Sequence, residues 1–155
     1  MSTTGVLDSR EADMMRRCEE LAQAAKLAGN TPVGALLATE QRVVAEAEEE
    51  VPSGDDPFAH AELLVVRRAV QELGRKQLPE ATLYTTAEPC LLCSFAIREF
   101  GIGRVVIGSA TPDIGGATSR FPILSASDVL RWGAPPKIVW EHPPPSSSGS
   151  PTTKV

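Results

Sequence analysis

Apolar side chains recur at helical spacing near the start of the chain. They lie three or four positions apart over residues 10–28, and Asp8 followed by Glu11 has the spacing of a capping box. The Gly29-Asn30 pair suits the end of a helix. We therefore predict a first helix over residues 10–28. Its apolar stripe would comprise Met14, Cys18, Leu21, Ala25 and Ala28.

Two further segments carry the end signals of helices. Residues 60–73 are followed by Gly74, and residues 89–100, which begin with a proline, are followed by Gly101. Both segments are long enough for three turns. A shorter helix is predicted over residues 127–132, where a serine could cap the first turn.

Short apolar runs between these segments predict strands. Residues 33–38 and 42–47 are separated by three residues, which favours a hairpin. The stretch 48–57, with its acids, glycine and prolines, and the glycine-rich stretch 111–119 are predicted to be loops. Strands that alternate with helices predict a layered α/β domain. The remaining strands would cover residues 81–86, 104–107 and 137–140.

Composition and charge narrow the class of protein. The chain has 155 residues, 42% of them hydrophobic, and a net charge of −5. This charge argues against a dedicated nucleic-acid binder, because phosphate neutralisation needs basic residues. No apolar run could span a bilayer, and the first ten residues do not resemble a signal peptide. We therefore expect a cytoplasmic protein without membrane contact, whose three cysteines are thiols or metal ligands.

The two ends of the chain are expected to lie outside the folded domain. Residues 1–9 form a lead-in, and residues 143–155 are rich in proline and serine and cannot build a core. The predicted domain is 10–142.

Two short motifs carry the chemistry. One is His60-Ala61-Glu62, and the other, Pro89-Cys90-Leu91-Leu92-Cys93, begins 27 residues after Glu62. Two thiolates and one imidazole are the protein ligands of an open, catalytic zinc site. A carboxylate close to a zinc-activated water, but not bound to the metal, could move its protons. Residues two apart on a regular helix point to opposite sides, so we expect His60 in the turn that precedes its helix.

Two plainer interpretations remain open. A purely structural zinc would use the same Cys-x-x-Cys turn, although such sites usually have four protein ligands, and only Cys18 and His142 remain for the fourth. A family member that has lost activity could also retain the metal and serve only as a binding protein. Cys18 itself suits a small buried hydrophobic residue.

A histidine-x-glutamate motif followed by Pro-Cys-x-x-Cys is the known signature of zinc-dependent nucleobase deaminases. The chain resembles the cytidine-deaminase-like superfamily, and within it the branch of bacterial tRNA adenosine deaminases and guanine deaminases. Five segments carry the similarity: Pro32-Val33-Gly34-Ala35, Asp56-Pro57-Phe58-Ala59-His60-Ala61-Glu62, Ala81-Thr82-Leu83-Tyr84, Glu88-Pro89-Cys90-Leu91-Leu92-Cys93 and Ile102-Gly103-Arg104-Val105-Val106.

The resemblance implies a three-layer α/β/α sandwich around a roughly five-stranded mixed sheet, in a homodimer. It implies one Zn²⁺ ion per chain on His60, Cys90 and Cys93, with Glu62 as the proton shuttle of a hydrolytic deamination. It also implies that the backbone at Ala61 and Pro89 lines the substrate pocket.

The chain departs from its relatives at two places that bear on the substrate. Glu49 stands where guanine and tRNA deaminases usually carry a substrate-binding asparagine, although Glu48 or Glu50 could fill that position instead. A carboxylate accepts hydrogen bonds but does not donate them, so Glu49 would favour a substrate that presents an N–H or cationic group. Asp113 is a second candidate contact, since guanine deaminases have an acidic residue in this region; the alternative is a turn residue after Pro112.

These departures set the expected substrate. The basic final helix of the tRNA enzymes has no counterpart here, so we expect a small aminated heterocycle, foremost a free guanine-like base and possibly a nucleoside. The alternatives are a tRNA adenosine deaminase and, from another class, a zinc-stabilised binding protein without activity.

Overall fold

A computed structural model describes residues 5–146 of the chain. It contains one mixed sheet with the strand order β2-β1-β3-β4-β5. The four strand pairings differ in direction: β1 is antiparallel to both β2 and β3, whereas β3, β4 and β5 are parallel. The strands are β1 Gly34–Ala38, β2 Val43–Glu48, β3 Thr82–Ala87, β4 Arg104–Ser109 and β5 Lys137–Trp140.

Three helices cover the sheet: α1 Ser9–Leu27, α2 Ala61–Leu73 and α3 Leu91–Phe100. Side chains alternate along the strands, so each face has its own apolar cluster. On one face, Leu36 and Tyr84 pack with Met15 and Cys18 of α1; on the other, Leu37 and Leu83 pack with Val65 of α2. The α/β/α layers and the five-stranded mixed sheet expected from the sequence are confirmed.

The first helix begins with the capping box expected from its sequence. The Asp8 side chain accepts a hydrogen bond from Glu11 N at 2.8 Å, and the Glu11 side chain accepts one from Asp8 N. In the predicted apolar stripe, Cys18, Leu21 and Ala25 are buried as expected. Met14 is only partly buried and the adjacent Met15 is the buried methionine, while Ala28 lies past the last turn and is exposed.

The crossover connections place the two sequence motifs, at the starts of α2 and α3, at one edge of the sheet. Helix α3 follows β3 and returns the chain to the parallel strand β4, so α3 begins at the carboxyl end of β3. Helix α2 packs on the same face as α3, and its first residue also lies near this edge. Such edges, where strands end and helices begin, commonly hold the ligands of α/β proteins.

Two predicted elements differ from the structure. Helix α3 begins two residues later than expected, because the Pro89 carbonyl accepts a hydrogen bond from Gly116 N at 2.9 Å and is drawn toward the following loop. The helix predicted over residues 127–132 is wrong, since turns occupy this segment. The guanidinium of Arg98 donates to the Ile123 and Ala126 carbonyls and thereby holds the chain in an irregular path. A 3-10 helix over Arg75–Glu80 was not foreseen.

The ends of the predicted domain stay predictions. Residues 147–155 of the proposed tail and residues 1–4 of the proposed lead-in lie outside the described residues. Across residues 5–146, none of the helices combines the length and apolar character that a membrane span requires.

Candidate active site

His60 and Cys90 occupy the same kind of position in two different helices. His60 is the N-cap of α2 and Cys90 the N-cap of α3, and neither side chain makes a capping hydrogen bond. Both side chains are therefore free to meet between the two helix ends. Cys93 lies in the first turn of α3 and is buried. The expected placement of His60 in the turn before its helix is confirmed.

The three side chains have the spacing of a zinc site. Their ligand atoms all lie within 4.8 Å of one another. His60 Nδ1 is 3.6 Å from Cys90 Sγ and 3.5 Å from Cys93 Sγ. Tetrahedral coordination with Zn–S of about 2.3 Å and Zn–N of about 2.05 Å separates a sulfur from a nitrogen ligand by about 3.6 Å. The residues present therefore fit zinc, and three protein ligands leave the fourth position open.

The pKa values of the two thiols shift in opposite directions. The hydrogen bond with Cys93 is the largest influence on Cys90 and lowers its pKa to about 5, with a further contribution from backbone N–H groups of α3. The same hydrogen bond, together with burial, raises the pKa of Cys93. A divalent ion at this position would hold both groups as thiolates.

Glu62 lies beside the metal ligands but does not belong to them. Its side chain is 4% exposed, and Oε2 is 3.7 Å from Cys93 Sγ. Burial is the main reason that its pKa is raised to about 7. Because Glu62 is in the first turn of α2, it points to the same helix end as His60. A carboxyl group at this place could hold or transfer a proton next to the metal.

Thr85 is a site residue that the sequence analysis missed. Its side chain is fully buried in β3, and Oγ1 lies 3.1 Å from Glu62 Oε1. The neighbouring side chains Leu83 and Tyr84 belong to the apolar clusters. Three of the six residues of β3 are threonines, so no signal in the sequence separates Thr85 from Thr82 and Thr86.

Of the three consecutive glutamates at the end of β2, Glu49 is the one turned into the protein. It is 6% exposed, and its Oε2 accepts a hydrogen bond from Ala61 N at 2.8 Å. Burial raises the pKa of Glu49, while the Ala61 hydrogen bond opposes this shift. Glu48 ends β2 and Glu50 is exposed. Glu49 Oε1 has no hydrogen-bond partner among the described residues, and this oxygen keeps some solvent exposure.

The other predicted substrate contacts are placed differently. Pro89 is buried beside Cys90, and its carbonyl accepts hydrogen bonds from Gly116 N and Ser94 Oγ. The Ala61 amide is already engaged by Glu49. Asp113 is exposed in a turn, and no hydrogen bond among residues 5–146 connects it to the metal ligands. The substrate roles of Ala61, Pro89 and Asp113 stay predictions.

A model of one protein family matches residues 8–109, which include all of these residues except Asp113. It is described as the cytidine and deoxycytidylate deaminase zinc-binding region. The matched stretch runs from the N-cap of α1 to the end of β4.

Curated relatives include two groups of deaminases. The tRNA-specific adenosine deaminase of Aquifex aeolicus is 34% identical over 116 residues, which are 75% of this chain and 74% of that protein. The enzyme of the same name from Haemophilus influenzae is 35% identical over 122 residues, or 78% and 70% of the two chains. The guanine deaminase of Bacillus subtilis is 41% identical over 66 residues, or 43% and 42%.

Solved structures of members of the same two groups also superpose on this chain. A structure from a study of A-to-I editing by tRNA:A34 deaminases superposes with a TM-score of 0.76 at 30% identity, covering 85% of this chain and 99% of that one. The guanine deaminase of Bacillus subtilis superposes with a TM-score of 0.60 at 31% identity, covering 67% and 66%.

Proposed function

The chain belongs to the cytidine and deoxycytidylate deaminase zinc-binding family, and from this membership we propose that it catalyses the hydrolytic deamination of a nucleobase, free or within RNA. The observation that carries the proposal is the three-ligand set of His60, Cys90 and Cys93 with the carboxyl group of Glu62 beside it. A zinc site with only three protein ligands is typical of catalysis rather than of structural support.

Each residue of the site has a definite task in this reaction. When bound, zinc lowers the pKa of a water molecule toward 7 and so provides a nucleophile for the amino-bearing ring carbon. Glu62 would first carry one proton of the attacking water to a ring nitrogen and then carry the second proton of that water to the departing amine, which leaves as ammonia. Thr85 holds the Oε1 atom of Glu62, which leaves Oε2 on the side of Cys93.

Adenosine within tRNA is the first candidate substrate. The support comes from relatives named tRNA-specific adenosine deaminases, which align with about three quarters of this chain. The superposition with the tRNA:A34 deaminase structure covers nearly all of that protein. This order differs from the expectation drawn from the sequence, where a free guanine-like base came first and tRNA was the alternative.

A free base remains a second candidate because of the charges around the site. The segment 48–60 carries five acidic residues without a lysine or arginine, and this charge would repel a phosphate backbone. The accessible oxygen of Glu49 would favour a ring N–H group. A free purine has such a group on its five-membered ring, whereas an adenosine in RNA does not. The acids of the segment are Glu48, Glu49, Glu50, Asp55 and Asp56.

Ammonia release from zinc-loaded protein tests the reaction, and the choice of substrates tests its class. One arm uses an RNA anticodon stem-loop with adenosine at its first anticodon position, and the other uses guanine, adenine and cytosine as free bases. The Glu62→Gln variant serves as the inactive control. Inosine in the stem-loop supports the first candidate, and ammonia from a free base supports the second.

If neither arm gives ammonia or inosine although one zinc is bound per chain, the proposal is contradicted and a zinc-stabilised binding protein is favoured. The homodimer implied by the family resemblance stays a prediction, which sedimentation velocity would check on the same preparation.

A further inference from the structure

A buried carboxylate lies two residues before the metal ligand Cys90. Glu88 is 3% exposed and follows directly after β3. Its two oxygens accept four hydrogen bonds from a single loop, residues 111–118. Oε2 accepts from Thr111 N at 2.8 Å and Thr118 Oγ1 at 2.6 Å, and Oε1 accepts from Ala117 N at 2.8 Å and Thr118 N at 2.6 Å.

The loop is shaped around this carboxylate. A Cβ atom on Gly115 would lie 2.1 Å from the Glu88 carboxyl carbon, so only glycine can approach it at this position. Gly115 also forms an antiparallel bridge with Cys90. Gly116 donates to the Pro89 carbonyl at 2.9 Å, and a Cβ on it would lie 2.0 Å from Ser94 Oγ. The loop thus contacts each residue of the Glu88-Pro89-Cys90 segment.

The chemistry of the four contacts requires a carboxylate. Three of the partners are backbone N–H groups, which can only donate, and a carboxylate supplies two oxygens that accept. No salt bridge joins Glu88 to a cation in the described part of the chain, so these four donors are what offsets the removal of its charge from water. A buried carboxylate without a cationic partner contributes little net stability, so stability alone does not explain why Glu88 lies here.

We propose that Glu88 is a positioning residue, which fixes the 111–118 loop against the zinc-binding turn and thereby builds one wall of the substrate pocket. It acts through the loop and does not touch the reacting atoms. The kinetic test of this role rests on the proposed function, whereas the structural test, which measures amide exchange, does not.

The structural arm compares amide exchange in two Glu→Gln variants. In Glu88→Gln, the new NH₂ group must face at least one backbone donor, whichever way the amide is oriented, so that hydrogen bond is lost. The amides of Thr111, Ala117 and Thr118 should exchange at least about tenfold faster. Glu99→Gln is the matched control, because Glu99 likewise accepts several hydrogen bonds, but from Arg131 and Trp132 in a different segment.

The kinetic arm separates positioning from stability. In Glu88→Gln we expect KM to rise about tenfold or more, kcat to change less than about threefold and the zinc content to stay at one per chain, measured well below the melting temperature. Glu99→Gln should leave KM unchanged. Formate added to Glu88→Ala should lower its raised KM, whereas neutral formamide should not.

The outcomes distinguish this inference from the proposed function. A wild-type protein that releases no ammonia contradicts the proposed function, and the exchange rates still decide whether Glu88 orders the loop. Unchanged exchange at the three amides, or a lower melting temperature with an unchanged KM, would overturn the positioning role.

Discussion

The hydroxyl of Thr85 lies between the Glu62 carboxyl group and a backbone carbonyl. Thr85 Oγ1 is 3.1 Å from Glu62 Oε1 and 2.9 Å from the Ala87 carbonyl oxygen. A hydroxyl has one proton to donate and two lone pairs to accept with, so it can satisfy the carboxyl group whether that group carries a proton or not. Thr85 is therefore suited to hold Glu62 in one position throughout the proposed reaction, in which Glu62 would gain and lose a proton.

The Thr85→Val variant should slow turnover without affecting the metal. Valine has nearly the same shape but no hydroxyl, so Glu62 loses its buried partner and gains rotational freedom. We expect kcat to fall about tenfold to a hundredfold, with little change in KM. Steady-state kinetics of ammonia release, with metal analysis on the same samples, would measure both. Thr85→Ser keeps the hydroxyl and should retain most of kcat; equal losses in the two variants would contradict the role of the hydroxyl.

Replacement of Glu62 itself should abolish turnover and preserve zinc. Glu62→Gln keeps the size of the side chain but cannot accept and deliver protons, and a loss of about 10²- to 10⁴-fold in kcat is expected for a general acid–base residue. Zinc should stay at one per chain, because its ligands are His60, Cys90 and Cys93. Glu72→Gln, at the other end of the same helix, is the control. Normal turnover in Glu62→Gln would disprove the assigned mechanism.

The chelation of zinc should expose two thiols and destabilise the fold. In zinc-loaded protein we expect no thiol to react quickly with a disulfide reagent, since Cys90 and Cys93 are bound and burial raises the pKa of Cys18 to about 12. After chelation, Cys90 and Cys93 should react and Cys18 should stay slow. The melting temperature should fall, because metal binds the folded state preferentially.

A Cys18→Ala variant is the control for this measurement. It should show the same two reactive thiols after chelation, since Cys18 is fully buried between α1 and the sheet. Fast reaction of three thiols in the parent protein would show instead that the whole chain unfolds when zinc is removed. The prediction that chelation exposes only Cys90 and Cys93 would then be wrong.

How far the sequence predicts this structure depends on the range of the interactions involved. The position of His60 at a helix start could be derived from the two-residue spacing to Glu62, because that is a local geometric constraint. The absence of a helix over residues 127–132 could not, because it depends on Arg98, which reaches from α3 to the carbonyls on either side of that segment, at Ala126 and Gly133. The contacts of Glu88 could not be predicted from the sequence for the same reason, because its partners lie 23 to 30 positions further along the chain.

The substitution Glu49→Gln should change which substrates are accepted more than it changes folding. The glutamine oxygen can still accept the hydrogen bond from Ala61 N, while the second oxygen becomes a donating NH₂ group. A base that presents an N–H group at this point should lose about tenfold or more in kcat/KM, and one that presents a ring nitrogen acceptor should gain. Competition assays with a free purine and its nucleoside measure the shift directly.

Glu50→Gln is the matched control for that substitution, since it removes the same charge from the adjacent, exposed position. If only the overall negative charge of the segment mattered, Glu50→Gln and Glu49→Gln would change the substrate preference equally. If Glu49 served only to bind the Ala61 amide at the start of α2, Glu49→Gln would leave the preference unchanged for every substrate. A reversal of preference in Glu49→Gln alone would assign the choice of substrate to the Glu49 carboxylate, because no other group at this position changes from an acceptor to a donor.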